Sequence, residues 1–314
     1  MHPIHRGRFA PSPTGPLHLG NAWAALLGWL WAKHEGGEFV LRIEDLDAAR
    51  CRPEHVDRLR RDLDWLGLSF DGPVVFQSER ANVYQAALTR LEAEERVYPC
   101  LCSRAEVARA ATAPHGLAED GPIYPRTCLG LGRAEFLARA AGRPPALRFR
   151  VTPGVERYVD GVHGPAEQNV EAEVGDFVVR RNDGVASYQL AVVVDDADSA
   201  VTHVLRGDDL LGSTPRQLQL ARALGLETVR YAHVPLLLGT DGKRLAKRDG
   251  PPTLSELREA RRAPERLVGL LAGWAGLSDG SPVQARELVQ GFSLSCLPRA
   301  PVLVDADAVR NALG

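Results

Sequence analysis

The sequence predicts an α/β fold built on a mainly parallel sheet that an insertion interrupts, and three observations predict it. Apolar runs typical of strands alternate with helical patterns of period 3.6 in residues 1–97, and this alternation returns in residues 188–252. Residues 98–187 begin as a stretch rich in Pro, Gly, Ala and Arg with weak periodicity. The last residues, 253–314, have the pattern of short helices. We therefore expect one domain in two halves, an insertion between them, and a short helical C-terminal region.

The composition limits the classes to which the protein can belong. A chain of 314 residues can bury a substantial core. The net charge of −2 excludes the global basic field of a non-specific nucleic-acid binder. No apolar run is as long as a membrane span, and the N-terminus has no signal-peptide core. We therefore expect a cytoplasmic protein that does not enter a membrane.

The first half is organised around the run from Arg8 to Gly20, RFAPSPTGPLHLG. The run follows a short apolar segment and leads into a helical pattern. A helix N-terminus exposes unpaired N–H groups and the positive end of the macrodipole, which favours anions. His18 and Gly20 lie on the first turn, where an imidazole can donate to a phosphate and a missing side chain permits close approach. Taken alone, such a His-x-Gly is more often a structural turn.

The remaining elements of the first half follow from periodicity and from residues that begin or end helices. The pattern predicts helices at 19–34, 53–66 and 81–96, and a strand at 38–43. The strand ends in an acidic group that begins with Glu44. Ligands bind at the carboxyl ends of parallel strands, so Glu44 is a candidate binding residue, although such acids can also cap a helix.

Further strands are expected within and after the insertion. The pattern indicates strands at 146–151, 176–180, 185–190, 191–194 and 201–205. An Asn-Asp-Gly turn at 182–184 would join the second and third of them as a hairpin. The next helix is expected to begin near Pro215, because proline is tolerated in a first helical turn.

Five cysteines, an odd number, fit a metal site better than a disulfide framework. Cys100 and Cys102 are one residue apart, and Tyr124 and Cys128 follow in the same loop-rich stretch. Zinc takes four ligands and favours sulfur. Three thiolates would come from the cysteines, and the fourth ligand is either Tyr124 or the more ordinary His115. The two cysteines that receive no role are Cys51 and Cys296.

A second glycine-flanked loop spans residues 239–250, GTDGKRLAKRDG. The chain has only three lysines, and two of them, Lys243 and Lys247, lie in this loop. A lysine carries a flexible point charge, which suits a clamp on moving phosphates better than a stiff guanidinium fork does. The loop is therefore a candidate phosphate-binding element that acts together with the run before the first helix.

Together, these two loops resemble the HIGH and KMSKS signatures of class I aminoacyl-tRNA synthetases, in the glutamyl form. His18-Leu19-Gly20-Asn21 corresponds to the first signature and Arg244-Leu245-Ala246-Lys247-Arg248 to the second. The departures from the family pattern are Asn21, Arg244 and Ala246, whereas Lys247 is kept at the position that the family uses on ATP. The resemblance covers roughly residues 4–255 and implies a Rossmann-like catalytic domain.

The resemblance implies ATP-dependent activation of L-glutamate. The implied catalytic residues are His18, Gly20 and Lys247, and the implied ATP contacts are His18, Gly20, Asn21 and Lys247. A Mg²⁺ ion would be held largely by phosphates and water, so no protein motif for it is expected.

The glutamate contacts are also implied position by position. They are Arg8, Phe9, Ala10, Pro11, Ser12, Glu44, Tyr188 and Arg206. Glu44 would bind the ammonium group, and Arg8 and Arg206 would bind carboxylates, since a guanidinium fork matches a carboxylate. Tyr188 would form a wall of the pocket and offer its hydroxyl group.

The cysteine-rich stretch resembles the zinc element of the glutamyl-queuosine tRNA(Asp) synthetases. In that element Cys-x-Cys, a tyrosine and a final cysteine in a Tyr-Pro-x-x-Cys setting bind the metal, and residues 124–128 match this setting. The resemblance implies one structural Zn²⁺ per chain, bound by Cys100, Cys102, Tyr124 and Cys128.

The predicted acceptor is tRNA(Asp) that carries queuosine. Only about 60 residues follow the lysine loop, too few for the anticodon-binding domains of a full glutamyl-tRNA synthetase, so we expect none. Together with the zinc element, this implies transfer of glutamate to the queuosine base. We expect the enzyme to be a monomer, although no sequence feature fixes its oligomeric state. The alternatives are a truncated glutamyl-tRNA synthetase, a non-catalytic paralogue that binds amino acid or tRNA, and a nucleotidyltransferase of the same superfamily that needs no RNA.

Overall fold

The structure is a computed structural model that describes residues 4–110, 123–243, 245 and 251–313. Its strands are β1 (Arg6–Phe9), β2 (Glu38–Ile43), β3 (Val75–Phe76), β4 (Val97–Cys100), β5 (Ala146–Phe149), β6 (Glu156–Asp160), β7 (Gly164–Gln168), β8 (Phe177–Arg180), β9 (His203–Gly207), β10 (Arg230–Val234), β11 (Leu237–Gly239) and β12 (Val302–Val304). Its helices are α1 (Leu19–His34), α2 (Pro53–Trp65), α3 (Ala81–Ala93), α4 (Arg104–Ala110), α5 (Arg133–Ala140), α6 (Val170–Glu173), α7 (Tyr188–Asp198), α8 (Thr214–Ala223), α9 (Leu254–Glu259), α10 (Pro264–Trp274) and α11 (Ala306–Leu313).

The parallel strands come from both halves of the chain. Strand β2 pairs in parallel with β1 and with β3, and β9 pairs in parallel with β10. The two groups lie side by side, because the backbone N–H of Thr202, just before β9, donates to the carbonyl of Arg6 in β1 at 2.9 Å. The carboxyl ends of β1, β2 and β9 therefore meet at one edge, which is where ligands bind in open parallel sheets.

The segment between the halves forms its own antiparallel structure. Strands β4, β5 and β8 make a three-stranded sheet, and β6 and β7 make a hairpin. The hairpin turn reaches the parallel sheet, where the N–H of Gly161 donates to the carbonyl of Tyr231 in β10 at 2.8 Å. The insertion is thus anchored on the domain that it interrupts.

Several predicted elements are confirmed and others are wrong. The helix at 19–34 and the strand at 38–43 have the predicted bounds. Of the predicted strands at 185–190 and 191–194, residues 188–194 belong instead to the single helix α7, whose N-cap Ser187 accepts from the N–H of Leu190. The predicted turn at 182–184 is present, and Ala186 after it forms an isolated antiparallel bridge with Arg180. Residues 189–196 of α7 are all buried, so the helix is enclosed on every side, and the short apolar run Leu190–Val194 within it does not distinguish a strand from a buried helix.

The C-terminal region also differs in part from the expectation. Helices α9, α10 and α11 are present as predicted, but β12 pairs in parallel with β11, so this region contributes a strand. The structure also contains the hairpin of β6 and β7, which the sequence did not predict. Among the described residues, no helix combines the length and the apolar character that a membrane crossing requires.

Candidate active site

The N-terminus of α1 is organised by His18. Its Nδ1 accepts from the N–H of Gly20 at 3.1 Å, and the side chain of Asn21 accepts from the N–H of His18 at 3.0 Å. Because Nδ1 is an acceptor, Nε2 carries the proton of the neutral ring and can donate to an anion. A Cβ atom at position 20 would lie 3.0 Å from the His18 ring, so glycine is what lets the imidazole fold over this turn.

The flanks of the lysine loop lie beside the same turn. The N–H of Leu254, at the start of α9, donates to the carbonyl of Leu17 at 3.1 Å. The indole of Trp23 in α1 donates to the carbonyl of Pro235, just before β11, at 3.1 Å. Lys247 lies outside the described residues, so its place near His18 stays a prediction.

Two of the predicted glutamate contacts, Arg8 and Glu44, lie at the carboxyl ends of neighbouring strands. Arg8 is near the end of β1, and Glu44 directly follows β2. Nε of Arg8 donates to Asp196 at 3.3 Å, and this is the partner of the Arg8 guanidinium among the described residues. The N–H of Glu44 donates to the carbonyl of Pro11 at 3.0 Å. This bond ties the loop after Phe9, which carries Ala10, Pro11 and Ser12, to the acid at the end of β2.

Tyr188 and Arg206 complete the predicted set. Tyr188 begins α7, and burial raises the pKa of its hydroxyl, which also feels the charges of Arg206, Glu44 and Arg8. Arg206 lies in β9 and is 5% exposed. The structure therefore brings the two arginines, the acid and the tyrosine into one buried cluster, although they are up to 198 residues apart in the chain.

The environment of Glu44 suits it to a cationic ligand. Burial raises the pKa of its carboxyl, and Arg42 and Arg8 only partly oppose this rise. Nη2 of Arg42 donates to Glu44 Oε1 at 3.2 Å. An ammonium group placed beside Glu44 would add a positive charge and favour the carboxylate form.

Arg42 was missed in the sequence, and it is the centre of a buried ion-pair network. It is 1% exposed, and its Nη1 donates to Asp196 Oδ1 at 2.5 Å. Burial opposes its charge, but Asp196, Glu44 and Asp195 outweigh burial and raise the pKa of Arg42. The groups that donate to Asp195 are the side chains of Gln77, Arg80 and Tyr84. The available signal was a single arginine within the otherwise apolar strand Phe39–Ile43.

Arg206 is also held by residues that the sequence did not indicate. The acceptors of its N–H groups are His233 Nε2 at 3.0 Å, Gln217 Oε1 at 2.8 Å, Thr214 Oγ1 at 2.9 Å and the carbonyl of Leu210 at 3.3 Å. His233 in turn contacts Asp160 of the β6–β7 hairpin at 2.6 Å. No local pattern marks these partners as contacts of Arg206, because they come from α8, from the segment just before it and from β10.

A cavity of about 830 Å³ opens from this cluster toward the insertion. Ser12, Glu44 and Tyr188 line it on the side of the catalytic domain. Its far side is formed by the insertion, including Arg104 and Arg143. His18 and Gly20 do not line the cavity, so it approaches the predicted glutamate residues from a direction other than the nucleotide loop.

The cysteine cluster lies on the insertion side of this cavity, which Cys100 and Cys102 help to line. The sulfur atoms of Cys100, Cys102 and Cys128 are all within 4.8 Å of one another. Tyr124 Oη lies 3.3 Å from Cys100 Sγ and 3.8 Å from Cys102 Sγ, and the Sγ atoms of Cys102 and Cys128 are 3.6 Å apart. Ligand atoms of a tetrahedral zinc centre are about 3.3–3.8 Å apart for bonds of about 2.0–2.3 Å. This donor set therefore fits a zinc ion, whereas the alternative ligand, His115, lies outside the described residues.

Donor groups surround the cluster and suit it to anionic thiolates. Nε of Arg148 lies 3.3 Å from Cys100 Sγ, and a nitrogen of Arg139 lies 3.5 Å from Cys102 Sγ. The Arg148 guanidinium also covers the ring of Tyr124 at 3.8 Å from its centre. Burial raises the pKa of Tyr124, so its phenol keeps its proton unless a cation is bound. The remaining cysteines, Cys51 and Cys296, do not belong to the cluster.

Residues 5–310 match the family model described as "tRNA synthetases class I (E and Q), catalytic domain". A relative from Symbiobacterium thermophilum, named Glutamyl-Q tRNA(Asp) synthetase, is 52% identical, and the match covers 98% of each chain. A protein from Halorhodospira halophila named Glutamate--tRNA ligase 1 is 43% identical, over 97% of this chain and 66% of its own length.

The fold is similar to that of solved structures. The crystal structure of a glutamate tRNA ligase from Elizabethkingia meningosepticum in complex with its amino acid aligns with a TM-score of 0.83 and 28% identity. The alignment covers 98% of this chain and 68% of that chain.

Proposed function

Because the chain belongs to the class I tRNA synthetases of the glutamate and glutamine type, and within them to the glutamyl-Q tRNA(Asp) synthetases, we propose that it glutamylates tRNA(Asp). It would activate L-glutamate with ATP and transfer the glutamyl group to the queuosine base at the wobble position. The observation that carries this proposal is the cavity that connects Glu44 and Tyr188 with the insertion, since an acceptor must reach the activated glutamate.

Glutamate would bind in the cluster at the carboxyl ends of β1, β2 and β9. Glu44 would pair with the ammonium group, whose positive charge would favour the carboxylate form against the burial that raises the pKa of this carboxyl. Arg8 uses only Nε on a partner among the described residues, so its two Nη groups would form a fork for one carboxylate. Arg206 would contact the other carboxylate, with Tyr188 beside it.

Activation would proceed by attack of the α-carboxylate of glutamate on the α-phosphorus of ATP. The bond to the β-phosphate oxygen breaks, and glutamyl-adenylate and pyrophosphate form. Positioning and positive charge would lower the barrier, through the Nε2 of His18, the N-terminus of α1 and the predicted Lys247. Mg²⁺ would neutralise phosphate charge when ATP is bound.

The acceptor base would enter the cavity from the side of the insertion. Arg104 and Arg143 line the cavity and carry positive charges, so they are suited to phosphates that flank the base. RNA loops are recognised through splayed bases together with backbone charge, which fits a deep cavity with a basic rim. A nucleophile of the base would then attack the acyl carbon, and AMP would leave.

The acceptor is tested with tRNA(Asp) shortened by its 3′-terminal CCA, which removes the terminal adenosine that aminoacylation uses. With ATP and labelled glutamate, we expect label on the shortened tRNA that carries queuosine and none on the same RNA with an unmodified wobble guanosine. The label should leave with the anticodon fragment after ribonuclease digestion. Absence of label from the shortened RNA, together with charging of intact tRNA, would refute the proposal.

The second candidate is aminoacylation of a tRNA 3′ end. It is favoured by the 43% identity to a protein named Glutamate--tRNA ligase 1. Intact tRNA(Glu) distinguishes the two, because it offers a terminal ribose but no queuosine. We expect no incorporation of glutamate into intact tRNA(Glu) beyond the background without enzyme.

We further propose that Cys100, Cys102, Tyr124 and Cys128 bind one structural Zn²⁺ per chain. A closed set of four ligands leaves no open position, so the ion would hold the insertion together and take no part in the chemistry. We expect one zinc per purified chain by elemental analysis. Replacing Cys128 with serine should remove the zinc and lower the melting temperature, because structural zinc sites contribute folding energy.

A matched control for this zinc site is Cys296→Ser, since Cys296 is exposed and outside the cluster. It should keep both zinc and melting temperature. Tyr124→Phe should lose zinc and His115→Ala should keep it if the phenolate is the fourth ligand. One zinc per chain in Cys128→Ser would refute the assignment.

Three other expectations stay predictions. They are the domain bounds 1–97, 98–187, 188–252 and 253–314, a monomeric state, and a location in the cytoplasm. Size-exclusion chromatography with light scattering would check the second.

A further inference from the structure

We infer that His233 and Asp160 are positioning residues that fix the guanidinium of Arg206 for substrate binding. The inference rests on the proposed function, since it takes Arg206 as a glutamate contact. It concerns two residues of different elements, because His233 lies in β10 and Asp160 ends β6 in the insertion.

The geometry determines which nitrogen of His233 carries the proton. Nε of Arg206 can only donate, so His233 Nε2, 3.0 Å away, must accept. The proton of the neutral ring is then on Nδ1, which donates to Asp160 Oδ2 at 2.6 Å. Both side chains are fully buried. Burial lowers the pKa of His233 to about 4, which agrees with a neutral ring at neutral pH.

Asp160 is itself held in a single orientation. Its Oδ1 accepts the backbone N–H groups of Val162 at 3.0 Å, His163 at 2.9 Å and His233 at 3.2 Å. Its Oδ2 is therefore the only oxygen left for the ring of His233. The carboxylate thus selects the tautomer of His233, as carboxylates do for metal-binding histidines.

The chain of contacts ends at Arg206, which has one N–H without an acceptor among the described residues. A guanidinium has five N–H groups, and four of those of Arg206 have acceptors among the described residues. The remaining N–H is on Nη1, and it is the group available for a substrate carboxylate. The direction of this N–H depends on the four other hydrogen bonds of the guanidinium. Among these, the bond to His233 requires a particular tautomer of the histidine ring.

Asp160→Asn tests this inference because it keeps the shape of the side chain, changes the tautomer that His233 needs and removes one buried negative charge. The amide oxygen of the asparagine can accept from the same three backbone N–H groups only if the amide NH₂ group faces Nδ1 of His233. Nδ1 must then accept, and Nε2–H would point at the N–H of Arg206, so two donors would oppose each other. In glutamate-dependent ATP–pyrophosphate exchange, we expect the KM for glutamate to rise about 10- to 100-fold while the KM for ATP stays within about twofold.

Two further variants separate positioning from a merely structural role. His233→Gln offers an amide oxygen to Arg206 and an amide N–H to Asp160, so its KM for glutamate should lie within about threefold of the wild type. His233→Leu offers neither and should raise the KM for glutamate. This pair carries the test if Asp160→Asn does not fold, and an equal KM for glutamate in both would overturn the inference.

The matched control is Asp62→Asn, since Asp62 is also a fully buried acid, paired with Arg258 between α2 and α9. It should lower stability and leave both KM values unchanged. Two results for Asp160→Asn would overturn this inference but not the proposed function. They are a KM for glutamate equal to that of the wild type, and a rise in the KM for ATP that parallels the rise for glutamate. Absence of glutamate-dependent exchange in the wild type would instead refute the proposed function.

Discussion

Replacing Arg42 with methionine is expected to lower the free energy of unfolding by about 3–5 kcal/mol, because buried charges would lose their partner. Arg42 is within 4.0 Å of Glu44, Asp195 and Asp196, and its side chain is 2% exposed. Methionine fills a similar volume and removes the positive charge. The remaining acids would have to be buried without compensation or be protonated. Urea unfolding at neutral pH, followed by circular dichroism, measures the change.

Two control variants show whether the loss of stability in Arg42→Met comes from the buried ion-pair network. Arg50→Met removes an arginine that is 73% exposed and paired with Asp47, so it should leave the unfolding midpoint unchanged within error. The double variant Arg42→Met, Asp196→Asn should lose less than the sum of its single variants, because each removes the need for the other. An unfolding curve for Arg42→Met that coincides with that of the wild type would show that the network does not stabilise the fold.

The second large effect is expected for Lys247→Ala. The resemblance gives Lys247 the role of a positive charge on the phosphates of ATP, and such a charge acts most strongly in the transition state. We expect the rate of glutamate-dependent ATP–pyrophosphate exchange to fall by about 10²- to 10³-fold with the melting temperature unchanged.

Lys243→Ala is the matched control for Lys247, since both lysines belong to the same loop. Lys243 is 83% exposed and lies 3.8 Å from Asp241, and the family pattern gives it no role. Its loss should change the exchange rate less than about threefold. A near-normal rate in Lys247→Ala, or equal losses in both variants, would remove Lys247 from the mechanism.

The sequence was informative where the functional residues are close together in the chain. His18, Gly20 and Asn21 form one helical turn, and the structure has them as the N-cap and first turn of α1. Cys100 and Cys102 are two positions apart, and Tyr124 and Cys128 are four positions apart, so their type and spacing suggested the cluster that the structure forms. Local spacing sufficed, because such residues meet through the geometry of a single turn or loop.

Local patterns failed where burial overrides propensity. The run Val192–Val194 is rich in β-branched residues and was predicted as a strand, yet it lies within α7. Its helix is stabilised by tertiary packing on all sides and by the cap at Ser187, which outweigh the weak strand preference of valine. The same helix supplies Asp195 and Asp196 to the network around Arg42.

The sequence by itself therefore determined which residue types are candidates for the site: the turn before α1, the acid at the end of β2, the lysine loop, which stays a prediction, and the cysteines. The tertiary structure decided which residues hold them in place. Arg42 meets Asp196 across 154 residues, and His233 meets Asp160 across 73. These pairings depend on which strands are neighbours and on how the insertion packs against β10. The periodicity of the sequence predicts neither of these, because it reflects only contacts within one helix or strand.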